Sequence, residues 1–377
     1  MRKIMTVFGT RPEAIKMAPL VKALECDAEL EPMIVVTAQH REMLDSVLQT
    51  FNIEPHYDLN IMKEGQTLSD ITSRAMTQLE EIIKKEKPDM VLVHGDTTTT
   101  FSGALAAFYN QVPVGHVEAG LRTRRKYAPF PEEMNRQMVS NLADLHFAPT
   151  KGAANNLLQE QKNPDTVIIT GNTAIDTLKL TVQKEYTSDI ITKHQNKRII
   201  LLTVHRRENI GQPMIEIYKA MRTIVDEYED VVIVSPLHLN PKVRSLAYKY
   251  LGDHERIELI EPLDVVDFHN FLSNAYLILT DSGGIQEEAP SLNKPVLVLR
   301  NVTERPEGVA AGTLKIIGTD FENVHNTTAE LLDNEIIYNQ MSQTQNPYGD
   351  GKASIRICES IKYYFGLTSN SPEPFKS

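Results

Sequence analysis

Short apolar runs alternate with stretches of helical spacing along almost the whole chain. The runs are rich in Val, Ile and Leu, and polar or glycine-containing turns separate them from the helical stretches. Such alternation is typical of α/β proteins, in which parallel strands and their helices build a doubly wound sheet. The pattern predicts strands at residues 4–8, 33–37, 90–93, 112–117, 146–148, 167–170, 199–204, 231–235, 257–260, 277–280, 296–299 and 314–317.

One polar segment, residues 183–197, interrupts this alternation. At 377 residues the chain is long enough for two domains, each with its own core. We therefore expect a first α/β domain over residues 1–182 and a second over residues 183–354. A last helix, at about residues 355–377, is expected to pack back on the first domain, and the polar tail after Gly366 is expected to fray.

Composition narrows the class of protein. Hydrophobic residues make up 41% and charged residues 24%, which is ordinary for a globular protein, and the net charge is −11. An acidic surface repels nucleic acid and anionic lipid, so an anionic ligand must be bound by a local basic cluster. Cys26 and Cys358 form no CxxC pattern, which argues against a disulfide framework or a thiolate metal site. With neither a signal peptide nor a membrane-spanning run, we expect a cytoplasmic protein without nucleic-acid partners or membrane insertion.

A turn at Ser282, Gly283 and Gly284 is the first candidate for chemistry. The glycines let the backbone approach a ligand, and a helix that begins there directs N–H groups toward a phosphate. Glu288 lies in the first turns of that helix, where its carboxylate can accept hydrogen bonds from a ribose. Arg305 follows in a loop that proline stiffens. Alone, such a turn is more often an ordinary strand-to-helix connection; with the carboxylate and the arginine it predicts a nucleotide site.

The first predicted strand leads into the sequence FGTRPEAIK. Thr10 and Glu13 have the spacing of a capping box, and Pro12 stands where a helix tolerates proline, so a helix is predicted to begin here. Arg11 at its start and Lys16 about one turn inside can face an anion, or they form a solvated helix face. The dinucleotide fingerprint G-x-G-x-x-G is absent from this turn.

Carboxylates also follow two of the predicted strands. Asp96 and Glu118 each come after a strand, and the carboxyl ends of neighbouring parallel strands meet at one edge of a sheet, where ligands bind. Glu132 lies near the start of another helix, a common place for an acidic residue. His94 and His116 stand inside apolar strands and are expected to pack in the core.

A basic cluster follows the strand at residues 199–204. His205 titrates near neutral pH and can transfer a proton, or it can sit charged beside a phosphate. Arg206 and Arg207 come next. Further along, Phe268 can stack on a base, although core packing is the more common role of an isolated phenylalanine.

Several stretches occur together and in order: FGTRPEAIKMAP, TAQHREMLD, HGDTTTT, HVEAGLRT, PFPEEMNR, GNTAIDT, HRREN, ILTDSGGIQEEAPSLNKPVLVLR and TERPEGV. Over residues 8–309 the chain thereby resembles the non-hydrolysing UDP-N-acetylglucosamine 2-epimerases of bacteria. The resemblance implies a GT-B architecture: two Rossmann-like, doubly wound parallel-sheet domains facing a cleft that holds the active site. It also implies a homodimer that needs no cofactor and no metal.

The resemblance assigns roles to individual residues. As catalytic residues it implies Asp96, Glu118, Glu132 and His205. As substrate ligands it implies Arg11, Lys16, Asp96, Glu118, His205, Leu263, Phe268, Ser282, Gly283, Gly284, Glu288 and Arg305. For a second, regulatory pocket that binds UDP-N-acetylglucosamine it implies Gln39, Glu132, Arg206 and His238.

The reaction implied is the reversible inversion of C2 that converts UDP-N-acetylglucosamine into UDP-N-acetylmannosamine. It would proceed by elimination of UDP to 2-acetamidoglucal and re-addition, and would supply teichoic acid, capsule or other surface polysaccharide. Two other enzymes would use a similar nucleotide-sugar pocket: a GT-B glycosyltransferase with a UDP-sugar donor, and a hydrolysing 2-epimerase. A non-catalytic nucleotide-sugar sensor is a further alternative, which the set of catalytic residues disfavours.

Overall fold

The computed structural model describes residues 1–38, 41–63 and 65–376. For residue 42 it describes the backbone but not the side chain. The chain forms two compact units. The first comprises Met1–Leu180 and Gly349–Ser377, and the second comprises Thr181–Tyr348. In the ranges that the structure describes, no helix is long and apolar enough to cross a bilayer.

A seven-stranded parallel sheet forms the centre of the first unit, with the strand order β3-β2-β1-β4-β5-β6-β7. Its strands are β1 (Arg2–Phe8), β2 (Leu30–Val36), β3 (Tyr57–Asp58), β4 (Met90–His94), β5 (Val114–Val117), β6 (Leu145–Ala148) and β7 (Val167–Ile169). The connecting helices are α1 (Arg11–Glu25), α2 (Arg41–Thr50), α3 (Leu68–Glu86), α4 (Thr98–Tyr109), α5 (Glu132–Leu142), α6 (Lys151–Gln159) and α7 (Thr173–Thr181). The strand order reverses between β1 and β4, and ligands of open α/β sheets bind at such a point.

The second unit has a six-stranded parallel sheet with the order β10-β9-β8-β11-β12-β13. Its strands are β8 (Arg198–Thr203), β9 (Val231–Pro236), β10 (Ile257–Ile260), β11 (Leu277–Thr280), β12 (Val296–Val298) and β13 (Leu314–Ile316). Its helices are α8 (Asp189–Lys193), α9 (Gln212–Glu227), α10 (Pro241–Leu251), α11 (Val265–Asn274), α12 (Gly283–Glu288), α13 (Pro306–Ala311), α14 (Phe321–Asp333) and α15 (Glu335–Ser342). The corresponding reversal lies between β8 and β11.

The prediction of two doubly wound parallel sheets is confirmed. Every predicted strand is present, and the largest difference in a boundary is at β2, which begins at Leu30 rather than at residue 33. The strands were predictable because both faces of a parallel sheet are covered, so its strands are continuous apolar runs. β3 was not predicted, because it has only two residues, one of them exposed.

The C-terminal segment differs from the expectation. Helix α16 (Ala353–Tyr364) packs on α1 and ends well before residue 377. The tail beyond Gly366 was expected to fray, yet the backbone N–H of Phe375 donates to the carbonyl of Ile169 in β7 at 2.7 Å. The Phe375 ring is buried. Apolar burial and one backbone hydrogen bond therefore fasten a tail whose composition is mostly polar.

Local turns agree with the sequence signals. Thr10 and Glu13 form the predicted capping box at the start of α1. Gly120, in the turn after β5, has φ = +91°, and a Cβ at this position would lie 2.2 Å from the carbonyl oxygen of Ala153. Glycine is therefore required here both by backbone conformation and by the closeness of α6.

We predict that Gly120→Ala destabilises the protein more than Gly312→Ala does. Gly312 has a similar φ of +86° but no atom within 4 Å of an added Cβ. A positive φ costs an alanine about 1–2 kcal/mol at either position. Overpacking against Ala153 adds about 1–3 kcal/mol at position 120 only. Urea unfolding of both variants measures the difference, and equal losses would contradict the close approach seen at Gly120.

Candidate functional site

A buried carboxylate organises the turn after β8 in the second unit. Asp281 follows β11 and is fully buried. Its carboxylate accepts hydrogen bonds from the backbone N–H groups of His205 (3.0 Å) and Arg206 (2.8 Å), and from the side-chain amide of Asn209 (2.9 Å). Because β8 and β11 are neighbours in the sheet, this one side chain fixes the path of the loop that carries the basic cluster.

Two guanidinium groups flank the glycine turn at the start of α12. A Cβ at Gly283 would lie 3.7 Å from Nη2 of Arg206 and 3.6 Å from Nη2 of Arg305. The Nε–H of Arg206 donates to the carbonyl of Asp281 at 3.2 Å, and Arg305 forms an ion pair with the buried Glu287. Two cations beside a glycine turn form the local basic cluster that an anion requires in this acidic protein.

The backbone of Arg305 is fastened as well. The hydroxyl of Tyr348 donates to the carbonyl of Arg305 at 3.0 Å and accepts from the backbone N–H of Gly308 at 2.8 Å. Burial raises the pKa of this tyrosine, so it stays protonated and able to donate near neutral pH. Tyr348 thus positions the loop that carries Arg305.

His205 lies beside this cluster and is partly exposed. Its ring stacks on that of His238, with centroids 5.5 Å apart, and its Nε2 lies 3.8 Å from a carboxylate oxygen of Asp281. Burial lowers the pKa of His205, although the Asp281 charge acts in the opposite direction. The neutral imidazole is therefore favoured near pH 7, in which one ring nitrogen can donate a proton and the other can accept one.

The remaining predicted ligands of the second unit lie nearby or in the core. Glu288 has a carboxylate oxygen 4.0 Å from the position of a Cβ at Gly284, and another 3.7 Å from Nε2 of the buried His269. Phe268 and Leu263 pack, partly buried, against one of the hydrophobic clusters of this unit. Core packing, the alternative considered for Phe268, is thus one of its roles.

In the first unit, Glu118 is held in a network of polar side chains. Its backbone has φ = +62°, an uncommon conformation for a residue other than glycine. Lys16 forms an ion pair with its Oε2 atom, and the side-chain amide of Asn172 donates to the same oxygen at 3.1 Å. His94 lies behind it, with Nε2 at 3.9 Å. Burial lowers the pKa of His94 to about 4, so near pH 7 its ring is neutral.

Asp96 follows the neighbouring strand, β4, and is held from helix α5. The guanidinium of Arg136 donates to its Oδ2 atom from Nε (2.8 Å) and Nη2 (2.7 Å). The side-chain amide of Asn135 donates to the Asp96 carbonyl at 2.9 Å. Arg136 also forms an ion pair with the buried Glu133, with Nη1 3.2 Å from Oε2. Glu132, at the first position of α5, is partly exposed.

Glu13 joins the turn after β1 to the turn after β4. One oxygen of its buried carboxylate accepts from the backbone N–H groups of Gly9 (3.0 Å) and Thr10 (2.8 Å). The other accepts from the hydroxyl of Thr97 at 2.6 Å. Burial raises the pKa of Glu13. The turn that carries Arg11 is thereby fixed to the turn that carries Asp96.

The sequence-predicted residues thus fall into two groups. The first unit holds Arg11, Lys16, Asp96, Glu118 and Glu132. The second unit holds His205, Leu263, Phe268, Ser282, Gly283, Gly284, Glu288 and Arg305. Of the predicted regulatory residues, Arg206 directly follows His205, and the ring of His238 stacks on that of His205. Glu132 lies in the first unit, and Gln39 lies outside the described residues.

Several residues that hold these groups were not predicted from the sequence: Glu13 beyond its capping role, Arg136, Asn172, Asp281 and Tyr348. All of them except Tyr348 lie within a motif that was singled out, but each acts through a partner distant in sequence. Among the described residues, no three His, Cys, Asp or Glu side chains are arranged to hold a metal ion.

Two parallel-sheet α/β units of this kind are shared with nucleotide-sugar enzymes of known structure, and comparison with known proteins gives the family. The UDP-N-acetylglucosamine 2-epimerase family matches residues 22–362. A UDP-N-acetylglucosamine 2-epimerase of Bacillus subtilis is 60% identical over 373 residues, covering 99% of this chain and 98% of that protein. This chain therefore belongs to the UDP-N-acetylglucosamine 2-epimerase family of isomerases, as the motifs predicted.

Solved structures agree with this assignment. The structure of S. aureus MnaA with UDP is 65% identical, covers 100% of both chains and has a TM-score of 0.91. The UDP-GlcNAc 2-epimerase of Neisseria meningitidis, solved with UDP-GlcNAc bound, is 48% identical, with a TM-score of 0.84. That alignment covers 95% of this chain and 99% of the Neisseria chain.

We predict that Asp281→Asn destabilises the second unit. The amide would direct N–H groups toward donors that now face a carboxylate, and a lost hydrogen bond to a charged group costs about 1.5–3 kcal/mol. Asp253→Asn is the control, because the side chain of Asp253 is 84% exposed and pairs only at the surface with Arg222. Such an exposed, solvent-screened pair contributes little to stability. If urea unfolding shows equal, small effects for both variants, Asp281 does not have the organising role given to it here.

Proposed function

We propose that this chain interconverts UDP-N-acetylglucosamine and UDP-N-acetylmannosamine by removing UDP from C1 and adding it back. Family membership supports the substrate and the overall reaction. The observation that carries the mechanism is the pair of guanidinium groups, Arg206 and Arg305, around Gly283. Positive charge at that turn suits a diphosphate whose own charge increases as it leaves.

The chemistry explains why UDP has to leave. The proton on C2 of an N-acetylhexosamine is not acidic, since no carbonyl is attached to that carbon. When the C1–O bond breaks, its electron pair departs with UDP and C1 gains oxocarbenium character, which acidifies the proton on C2. A base then removes this proton, a C1–C2 double bond forms, and the products are 2-acetamidoglucal and UDP. Re-addition of UDP with protonation from the opposite face gives the C2 epimer.

The second unit supplies the groups suited to the leaving diphosphate. Arg206, held by Asp281, and Arg305, held by Tyr348, provide charge, and the backbone N–H groups at Gly283 and Gly284 provide hydrogen bonds. Donors held in place in this way stabilise developing charge without a cost of reorganisation. We assign His205, neutral near pH 7, to the same oxygens as a hydrogen-bond donor.

The first unit supplies carboxylates for the proton transfers. Two groups are needed, because the proton leaves one face of C2 and returns on the other. Asp96 is held through Oδ2 by Arg136, and Glu118 through Oε2 by Lys16 and Asn172, so each is oriented by neighbours on other elements. We propose that these two, with Glu132, move the proton.

Three further expectations from the resemblance concern the use of the product, the oligomeric state and regulation. We propose that the product supplies N-acetylmannosamine units for teichoic acid, capsule or another surface polysaccharide. We propose also that the chain acts as a homodimer and that UDP-N-acetylglucosamine regulates it, a role for which the resemblance implies Gln39, Glu132, Arg206 and His238.

We expect the purified protein, given UDP-N-acetylglucosamine alone in D2O, to incorporate deuterium at C2 of both epimers. The proposed route requires this result, because the proton on C2 is lost to a carboxylate that exchanges with solvent. Proton NMR of the sugar region and mass spectrometry measure the incorporation. No exchange without an added acceptor would contradict the proposal in favour of a glycosyltransferase, and steady release of free N-acetylmannosamine would indicate a hydrolysing epimerase.

We also expect Arg206→Gln to weaken UDP binding strongly and Arg207→Gln to leave it nearly unchanged. Arg207 is the adjacent residue and is exposed, so it controls for loss of one positive charge. A charge-assisted hydrogen bond contributes about 1.5–3 kcal/mol, which corresponds to about a tenfold to hundredfold rise in Kd. Isothermal titration calorimetry with UDP measures both variants. An equal rise in Kd for both variants would mean that Arg206 contributes only to the overall electrostatic potential and makes no specific contact with UDP.

A further inference from the structure

The turn between β7 and α7 carries an amide that reaches Glu118. Asn172 is buried, and its Nδ2 donates to Oε2 of Glu118 at 3.1 Å. Its Oδ1 accepts from the backbone N–H of Ala174 at 2.9 Å. A side-chain amide has one donor end and one acceptor end, so the hydrogen bond to Ala174 settles which end faces the carboxylate.

This contact differs in kind from the ion pair that Glu118 makes with Lys16. The ammonium of lysine is a point charge at the end of a flexible chain, so it attracts the carboxylate without fixing its direction. The amide of Asn172 is fixed by its own backbone partner and lies in a buried turn. Asn172 is thus the partner that can set the orientation of the carboxylate.

Residues of the C-terminal segment form hydrogen bonds to both sides of the turn that carries Asn172. The backbone N–H groups of Ala353 and Ser354, at the start of α16, donate to the buried carboxylate of Asp176 in α7 at 3.1 and 2.8 Å. The guanidinium of Arg356 donates to the carbonyl of Thr170, two residues before Asn172, at 3.0 Å. The turn is therefore fastened on both sides of Asn172.

The tail beyond α16 completes this support. The backbone N–H of Phe375 donates a hydrogen bond to the carbonyl of Ile169, the last residue of β7. The guanidinium of Arg356 lies over the Phe375 ring, with Cζ 5.6 Å from the ring centroid. Arg356 also donates to the carbonyl of Glu373 at 3.2 Å and pairs with Asp350 at 2.7 Å. Arg356 thus connects the tail to the turn that carries Asn172.

We propose that Asn172 is a positioning residue for Glu118, and that Arg356 and the tail at Phe375 keep Asn172 in place. The inference rests on the proposed function of Glu118 in proton transfer. A proton-transfer group has to lie within hydrogen-bond reach of the atom it serves, and an error of about 1 Å in a reacting group costs about a hundredfold in rate. An exposed, flexible C-terminus would have no such effect on turnover.

Asn172→Asp tests the proposal with little change of shape. The aspartate keeps an oxygen for the N–H of Ala174, but it places a second oxygen where an N–H now faces Glu118. With UDP-N-acetylglucosamine as substrate, we expect kcat to fall about tenfold to a hundredfold, with KM within about twofold of wild type. The isotope effect on kcat with substrate deuterated at C2 should rise, because proton transfer becomes slower relative to the other steps.

Asn163→Asp is the matched control. Asn163 also accepts a backbone N–H with its Oδ1, from Asp165 at 3.1 Å, but it is exposed and caps a different turn of the same unit. Its variant should keep wild-type kinetics. Wild-type kcat and isotope effect in Asn172→Asp would overturn the inference and leave the proposed function intact. A wild-type protein that does not convert the substrate would overturn the proposed function itself.

Phe375→Ala tests the support separately and does not change the charge of the site. We expect a smaller fall in kcat than in Asn172→Asp, again with KM little changed, and recovery in Phe375→Leu, which restores apolar bulk. Ile355→Ala, on the 52% exposed Ile355 of α16, is the control for a general loss of apolar surface. Wild-type kcat in Phe375→Ala, with the tail shown by proteolysis to be released, would overturn the supporting role of the C-terminus.

Discussion

Buried carboxylates that accept backbone N–H groups hold the functional side chains of both units in place. Asp281 takes the N–H groups of His205 and Arg206, and Glu13 takes those of Gly9 and Thr10. A buried charge is costly unless it is hydrogen-bonded, so each carboxylate constrains the loop around it. The loops after the strands are therefore shaped by hydrogen bonds within the protein, which is what preorganised stabilisation of a leaving group requires.

The two units offer different chemistry. The second presents cations, N–H groups and a histidine whose pKa burial lowers, a set suited to a diphosphate. The first presents carboxylates, of which Asp96 and Glu118 are each held by a cation from another element. The reaction proposed for this member of the 2-epimerase family needs both sets: one to accept the charge of departing UDP, the other to move a proton. Neither set alone would invert C2.

Much of the fold and part of the site could be predicted from the sequence for a physical reason. Strands buried on both faces are apolar runs, and the carboxyl ends of parallel strands share an edge, so Asp96 and Glu118 could be placed as neighbours. Their partners could not be found in this way. Arg136 is 40 residues from Asp96, and Asn172 is 54 residues from Glu118. Such pairs depend on tertiary packing, which local patterns do not contain.

Departure and return of UDP is the step on which the proposed reaction depends most. UDP-N-acetylglucosamine carrying ¹⁸O between C1 and the β-phosphorus tests it directly. If UDP leaves, rotates and returns, the label in recovered substrate should move to the non-bridging β-phosphate oxygens while epimerisation proceeds, as phosphorus NMR would show. Epimerisation with all of the label still in the bridge would contradict the mechanism.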